Sequence, residues 1–233
     1  MIKFFPIAYA GASSEQVFGG WQSALGEVYD VIPLEIAGRG RRASEPFHSS
    51  IDDAVEQLFH KIKFIISVHS YIIYGHSMGC ILAFELVKKI EENNFPPPLR
   101  LCLSGRNPPD FYYDSRAYHR LPEEEFIDKV SALGGNLKHL FAVPDIRDVF
   151  LPILRADYRI LGDYDPPKSI YKVSSDILFF FSHSDLVIQW DCVVRWKEFC
   201  KKKFRIFEFC GDHFFIHEQF SRICQHISED ILP

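Results

Sequence analysis

The feature that most constrains the fold of this chain is the stretch G-H-S-M-G at residues 75–79. It follows an apolar run at 71–74 and precedes a segment of helical periodicity at 81–87. A serine flanked in this way lies on a sharp strand-to-helix turn that exposes its hydroxyl above a parallel sheet. The glycines are needed because side chains at their positions would collide with neighbouring backbone. The motif therefore predicts an α/β fold with Ser77 as a candidate nucleophile.

Apolar, β-branched and aromatic runs recur along the chain and are bounded by Gly, Pro, Ser or Asp. The predicted strands are residues 2–9, 28–36, 71–74, 99–103, 177–181 and 204–209. Helical periodicity at 51–62, 81–87 and 190–196 alternates with them, which predicts a mostly parallel sheet with helices on both faces. Residues 107–163 interrupt the alternation of strands and helices, because they contain predicted helices at 122–133 and 145–160 and no convincing strand between them. We therefore expect one domain with a helical lid insertion.

Composition narrows the class of protein. The 233 residues are 47% hydrophobic and 24% charged, which is typical of one globular domain. A net charge of −5 argues against nucleic acid as a partner. The absence of an apolar run of about 20 residues argues against a membrane span. The apolar residues at the start of the chain are similar to a signal peptide, but the run is too short and contains Pro6, so we do not expect one. We expect a cytoplasmic monomer.

The six cysteines form no C-x-x-C pair and no zinc-type cluster with histidine, so free thiols are expected. His213 and His217 have the i,i+4 spacing of zinc ligands. They lack the accompanying H-E-x-x-H and a defined third ligand, so we predict no metal site.

A serine hydroxyl is a weak nucleophile, so it needs a base that is oriented by an acid. On sheets of this kind the chain order is Ser, acid, His, with the acid after a late strand and the histidine after the last one. Asp185 and His213 occupy those two positions, although His213 is one of ten histidines. The competing acids are Asp176, Asp191 and Asp212, which we interpret as loop or cap residues.

Stabilising the negative charge on a reacting carbonyl oxygen requires two backbone N–H donors. One normally follows the nucleophile and the other lies in the loop after an early strand. We therefore predict Met78 and Ala10 as the donors of an oxyanion hole.

A short basic cluster at residues 38–42, G-R-G-R-R, has two interpretations. It is either a solvated loop or a contact for a phosphate or an acidic partner.

Taken together these residues resemble the external, or type II, thioesterases of non-ribosomal peptide and polyketide synthases. G-H-S-M-G followed by A-F-E at 83–85 is the narrowest match. Matching segments run along nearly the whole chain, and they lie at 9–13, 38–40, 121–135 and 151–157. The resemblance implies an α/β-hydrolase fold with Ser77, Asp185 and His213 as the triad.

Four positions depart from the family pattern. Ala8 and Ala37 stand where the family usually has proline, whereas Ala12 and Ser182 stand where it has glycine. These departures affect the expected geometry of the loops that contain them. At Ala12 a methyl group replaces a hydrogen atom, which predicts a narrower space beside the oxyanion hole.

The resemblance implies hydrolysis of acyl or aminoacyl thioesters on the 4'-phosphopantetheine arm of a carrier domain, which edits misprimed synthases. No cofactor of the enzyme itself is expected, and carrier domains are the expected partners. The alternatives are a general carboxylesterase or lipase, an acyl transferase, and a non-catalytic hydrolase-fold protein that binds carriers. The aromatic residues of the insertion, Phe111, Tyr112, Tyr113 and Phe141, are expected either to line a channel or to pack.

Overall fold

The computed structural model describes residues 1–111, 114–135, 137–166, 168–229 and 231. Six parallel strands form one sheet in the order β2-β1-β3-β4-β5-β6. They are β1 Ile2–Ile7, β2 Tyr29–Val31, β3 Tyr71–His76, β4 Arg100–Ser104, β5 Asp176–Ser182 and β6 Phe204–Phe209. All six predicted strands are therefore present.

Nine α-helices lie in the described part of the chain. They are α1 Ser14–Phe18, α2 Trp21–Leu25, α3 Ile51–Ile66, α4 Met78–Glu92, α5 Glu123–Ser131, α6 Leu137–Phe141, α7 Pro144–Asp163, α8 Trp190–Val193 and α9 Ile216–Ser228. Three 3₁₀ helices cover Gly40–Arg42, Asp114–Arg120 and Val194–Phe199. The predicted helix at 190–196 is thus a short α-helix that continues as a 3₁₀ helix.

Two layers of helices cover the sheet because its strands carry apolar residues on both faces. In β5, Ile177 and Phe179 pack into the core shared with α3 and α4, whereas Leu178 and Phe180 pack into the core shared with α2 and α9. This alternation follows from the period-two geometry of a strand. Between the two layers, the central strands are fully buried.

Two strands end earlier than predicted. β2 ends at Val31, although Ile32 and Leu34 still donate to carbonyls of the β1 strand. Pro33 lies between them on this edge strand, where proline is tolerated. The β1 strand ends at Ile7, because the next amide, that of Ala8, donates to Ser14 Oγ at 3.0 Å.

Between β4 and β5 the described residues form helices and no strand, as the sequence predicts for 107–163. α5, α6 and α7 share a small core of their own, in which Phe126, Val130 and Leu154 are buried. Phe141 packs in this core against Phe150, with ring centroids 5.6 Å apart. Whether this segment opens as a lid stays a prediction.

Candidate active site

Ser77 lies on a strained turn between β3 and α4. Its φ of 53° and ψ of −115° put a non-glycine residue at positive φ, where an L side chain is rarely found. A Cβ on Gly75 would lie 2.1 Å from the carbonyl oxygen of Gly79, and a Cβ on Gly79 would lie 2.2 Å from that of Ile7. Both contacts are with backbone, so both positions require glycine, as the motif predicts.

Hydrogen bonds to the neighbouring strand hold this turn. The amide of Ser77 donates to the carbonyl of Ser104 at 2.8 Å. The thiol of Cys80 lies 3.1 Å from the carbonyl of Gly75 and accepts from the amide of Ser104 at 3.2 Å. Burial raises the pKa of Cys80 to about 12, so the thiol keeps its proton. Cys80 is therefore a structural part of the turn.

Asp185 and His213 lie together at the carboxyl edge of the sheet. Nδ1 of His213 is 2.8 Å from Oδ2 of Asp185, and both side chains are almost completely buried. The second carboxylate oxygen, Oδ1, accepts from the amide of Val187 at 2.9 Å. This arrangement fixes the imidazole so that Nδ1 carries the proton and Nε2 is left as the basic nitrogen.

Ser77 and His213 line the same narrow cavity, together with Ala10 and Tyr9. The structure thus brings Ser77, His213 and Ala10 to one place, with Asp185 directly behind the histidine. Their chemical roles remain predictions.

The competing acids lie elsewhere or are otherwise engaged. Asp176 begins β5, at the edge of the sheet opposite to Ser77, and accepts from the amide of Lys203. Asp191 is exposed. Asp212 accepts from the amides of Gly135 and Phe214, which links its loop to the segment between α5 and α6.

The two histidines that have the spacing of zinc ligands are both engaged in hydrogen bonds. Nδ1 of His213 faces Asp185, and Nε2 of His217 lies 2.9 Å from the hydroxyl of Tyr9. Across the described residues, no group of three or more His, Cys, Asp or Glu side chains is arranged to hold a metal ion.

Met78 and Ala10, the predicted donors of the oxyanion hole, both lie close to Ser77. Met78 is the first residue of α4, so its N–H has no acceptor within the helix and lies at the positive end of the helix dipole. Ala10 lines both cavities that Ser77 lines. The next amide, that of Gly11, is already used, because it donates to Oδ2 of Asp157 at 2.7 Å.

A buried ion pair holds the loop that contains Ala10. Arg39 and Asp157 are only 3% and 2% exposed, and the guanidinium contacts both carboxylate oxygens, at 2.5 and 2.6 Å. Asp157 belongs to α7, so its bonds to Arg39 and to the amide of Gly11 join α7 to the loops after β2 and β1. The interpretation of residues 38–42 as a solvated loop is wrong for Arg39, whereas Arg41 is exposed as expected.

A second buried carboxylate supports the same loop. Glu35 accepts from the hydroxyl of Ser13 and from the amide of Ser14, at 3.1 Å for the latter. A Cβ on Gly40 would lie 2.6 Å from Oε2 of Glu35, so the glycine at positive φ makes room for this carboxylate. Neither Glu35 nor Asp157 could be identified from the sequence, and Arg39 stood out only as part of the basic cluster at 38–42, since the partners of all three are distant in the sequence.

Three of the four departures from the family pattern supply hydrogen bonds. The amide of Ala8 donates to Ser14 Oγ, and the amide of Ala37 donates to Nε2 of His48 at 3.1 Å. Proline at either position would have no N–H to donate. The hydroxyl of Ser182 donates to the carbonyl of Gly211 at 2.6 Å, which joins the loop of Asp185 to the loop of His213.

Two larger cavities each share lining residues with the narrow one at Ser77. One has a volume of about 540 Å³, reaches Ser77, and is lined by Phe111 with Arg106 and Lys129. The other has a volume of about 700 Å³, lies between the loop after β1 and the helices α6 and α7, and is lined mainly by apolar side chains such as Phe150. Ala12 lines this second cavity. Tyr112 and Tyr113 lie outside the described residues.

A parallel sheet with a serine on a strained turn after a central strand, and a buried Asp–His pair at the same edge, defines a protein of the α/β-hydrolase fold. The chain belongs to the thioesterase domain family, whose model matches residues 3–231. Within the described residues, no helix is both long and apolar enough to cross a bilayer.

Similar proteins lie in secondary-metabolite pathways. The gramicidin S biosynthesis protein GrsT of Aneurinibacillus migulanus is 29% identical over 93% of this chain and 84% of GrsT. The structure of ClbQ from the colibactin NRPS/PKS pathway is 30% identical, with a TM-score of 0.91 over 98% of this chain and 95% of ClbQ. The type II thioesterase BorB from the borrelidin cluster is 26% identical, with a TM-score of 0.87 over 97% and 91%. The predicted fold class and the resemblance to type II thioesterases are confirmed.

Proposed function

We propose that this protein hydrolyses acyl or aminoacyl thioesters carried on the phosphopantetheine arms of carrier domains, through a covalent acyl-Ser77 intermediate. The observation that carries the proposal is the 2.8 Å contact between His213 Nδ1 and Asp185 Oδ2, next to a cavity shared by His213 and Ser77. A buried Asp–His pair beside a serine that lines a cavity is the machinery of acyl transfer through a serine.

In the first step, Nε2 of His213 accepts the hydroxyl proton while Ser77 Oγ attacks the thioester carbonyl. Asp185 stabilises the resulting imidazolium, and the amides of Met78 and Ala10 donate to the oxyanion. Collapse of the tetrahedral intermediate breaks the C–S bond, and the carrier thiolate takes the proton from His213.

In the second step, His213 removes a proton from water, and the hydroxide oxygen attacks the acyl-serine carbonyl. The C–Oγ bond then breaks, Ser77 recovers its proton from His213, and the free acid leaves. The enzyme itself needs no cofactor or metal for either step, because the phosphopantetheine belongs to the substrate.

Carrier-bound thioesters are favoured over simple esters by the family and by the relatives. GrsT, ClbQ and BorB are associated with peptide or polyketide pathways, and this chain covers most of the length of each. Editing of misprimed carriers follows from this association, whereas cytoplasmic location and a monomeric state remain predictions. The triad chemistry alone does not distinguish thioesters from esters, since a fold can serve many substrates.

The test is release of free acid from an acetylated carrier protein, with an acetyl ester of a simple alcohol as the competing substrate. Ser77→Ala is the diagnostic variant, and Ser23→Ala, an exposed serine in α2, is the matched control. We expect hydrolysis of the carrier thioester by the wild type and by Ser23→Ala, and loss of it in Ser77→Ala. Preference for the ester would instead indicate a carboxylesterase, and an amide or ester product would indicate an acyl transferase. No turnover of either substrate would favour the non-catalytic alternative.

A further inference from the structure

His76 is a fully buried side chain at the end of β3, one residue before Ser77. Both of its ring nitrogens are within hydrogen-bonding distance of a partner. Nδ1 lies 2.7 Å from Ser104 Oγ, and Nε2 lies 2.9 Å from the main-chain carbonyl oxygen of His213. The residue that precedes the proposed nucleophile therefore contacts the main chain of the proposed base.

The partner atoms determine which nitrogen of His76 carries the proton. A carbonyl oxygen only accepts, so Nε2 of His76 must be the N–H that donates to His213. Burial lowers the pKa of His76 well below 6.5, so the ring is neutral and Nδ1 has a free lone pair. Nδ1 therefore accepts from the hydroxyl of Ser104.

Ser104 in turn accepts a hydrogen bond from Tyr74, so the chain of donors runs from Tyr74 through Ser104 to His76. The hydroxyl of Tyr74 lies 2.7 Å from Ser104 Oγ, and burial raises the pKa of Tyr74 well above 10, so the phenol keeps its proton. With the Ser104 proton directed to His76, Tyr74 is the donor to Ser104. Each bond in such a chain polarises the next, which strengthens the last one, from His76 to the carbonyl of His213.

The sheet places this chain of donors accurately. His76 and Ser104 are direct neighbours in the register of β3 and β4, so their side chains project from adjacent positions of a fully buried ladder. Gly105 follows at a φ of +67°, and a Cβ there would lie 2.5 Å from Cε1 of His76 and 3.3 Å from Cε1 of His213. The glycine leaves the space that the two imidazoles share.

We propose that His76 is a positioning residue for the proposed reaction: its Nε2–H holds the main chain of His213 while Asp185 holds the ring. Two anchors, one on the carbonyl and one on Nδ1, fix the position from which Nε2 of His213 meets Ser77. The inference rests on the proposed function only for the identity of the base, because the contacts of His76 are independent of any substrate.

The neutral charge of His76 is part of this role. The rings of His76 and His213 have centroids 5.0 Å apart, so a cation on His76 would oppose protonation of His213 during the reaction. The other titratable groups around His76 are Tyr9, whose ring packs edge-on at 5.7 Å, and His217 beyond it. Burial raises the pKa of Tyr9 to about 12 and lowers that of His217, so neither group adds a charge near neutral pH.

The experiment compares two substitutions of His76, of which only one keeps an N–H donor. His76→Leu fills the site without a donor, whereas His76→Gln keeps an N–H that reaches the position of Nε2. His69→Gln is the control, because His69 is an exposed histidine in the turn between α3 and β3. Each variant is assayed for carrier-thioester hydrolysis and for the rate at which a fluorophosphonate labels Ser77, which requires the triad but no thioester.

We expect kcat of His76→Leu to fall about 100-fold, the size of loss that follows from misplacing a catalytic group by about 1 Å. KM should change less than about twofold, since His76 does not line the cavities, and labelling of Ser77 should slow in parallel with kcat. His76→Gln should recover most of both rates.

Equal losses in His76→Leu and His76→Gln, or a His76→Leu enzyme as active as His69→Gln, would overturn the proposal. If His76→Leu does not fold, Ser104→Ala replaces it, because loss of the Ser104 donor removes the bond to Nδ1 that fixes the tautomer and polarises the Nε2–H of His76. That variant should lose about tenfold in kcat, the value of one buried hydrogen bond, and an unchanged kcat would overturn the proposal. The wild type could react with the fluorophosphonate at Ser77, and the His76 variants could react more slowly as expected, while none of them hydrolyses the thioester. That result would contradict the proposed substrate and leave the role of His76 intact.

Discussion

The amide of Gly11 donates to Oδ2 of Asp157 across 2.7 Å, and this bond ties the loop of the proposed oxyanion hole to α7. The same carboxylate binds Arg39 through both of its oxygens. One buried acid thus holds both the loop after β1 and the loop after β2. α7 consequently belongs to the framework of the site, and the neighbouring helices α5 and α6 are the part of the insertion that lacks this anchor.

Loss of the Asp157 carboxylate should destabilise the protein strongly. In Asp157→Ala the guanidinium of Arg39 stays buried without its partner, and breaking a buried pair in this way costs about 3–5 kcal/mol. The free energy of unfolding, measured in urea, should fall by that amount. Asp148→Ala is the control, because Asp148 is an exposed acid of the same helix, and it should change the free energy by less than about 0.5 kcal/mol. Similar losses in both variants would contradict the importance of the buried pair.

Gly79→Ala should prevent normal packing of the serine turn. The added methyl would lie 2.2 Å from the carbonyl oxygen of Ile7, which belongs to β1 and has no room to move. We expect a loss of about 3 kcal/mol or more in the free energy of unfolding. Gly20→Ala is the matched control, since a Cβ there meets no atom within 4 Å and the φ of −82° suits any residue. Equal stability of the two variants would show that the turn tolerates a side chain.

Stability should decrease as the pH falls below about 6.5, the ordinary pKa of histidine. Burial lowers the pKa values of His48, His76 and His217, so these side chains are neutral in the folded chain at a pH where the unfolded chain protonates them. The unfolded state then binds more protons, and each histidine lowers the free energy of unfolding by up to about 1.4 kcal/mol per pH unit.

Urea unfolding between pH 7.5 and 5 measures this dependence. His48→Gln should flatten the slope relative to the wild type, whereas the exposed substitution His69→Gln should leave it unchanged. A stability that is constant or rises on acidification through this range would contradict the assignment of neutral, buried imidazoles.

Asp185→Asn should disable the proposed base without removing it. The asparagine amide would donate toward Nδ1 of His213, so the imidazole proton would move to Nε2 and face Ser77. We expect kcat to fall about 10⁴-fold, the loss associated with the wrong tautomer. Asp191→Asn, which changes an exposed acid six residues later, should retain full activity. The reverse result would assign the acid to Asp191.

The sheet could be predicted from the sequence because its central strands are buried on both faces and therefore appear as continuous apolar runs. The runs at 177–181 and 204–209 match β5 and β6 to within one residue at each end. The run at 28–36 matches β2 only over Tyr29–Val31, although Ile32 and Leu34 continue to donate to carbonyls of β1 beyond the end of the strand.

The residues that support the site were harder to predict than the members of the proposed triad. Ser77, Asp185 and His213 follow from a motif and from chain order, which are local signals. Arg39 and Asp157 are 118 positions apart, and neither position carries a pattern that identifies its partner. His76 is a residue of the motif itself, but its contact with the carbonyl of His213 depends on how β3 and the loop after β6 pack together.

The most direct test of the central claim is detection of the acyl group on Ser77 during turnover. The enzyme is mixed with an acetylated carrier protein, quenched in acid within milliseconds, digested, and analysed by mass spectrometry. We predict an acetyl group on the hydroxyl of Ser77, formed and lost at rates consistent with kcat and absent from Ser77→Ala. Hydrolysis that persists in Ser77→Ala, with no acetyl group on the wild-type serine, would contradict a mechanism through Ser77.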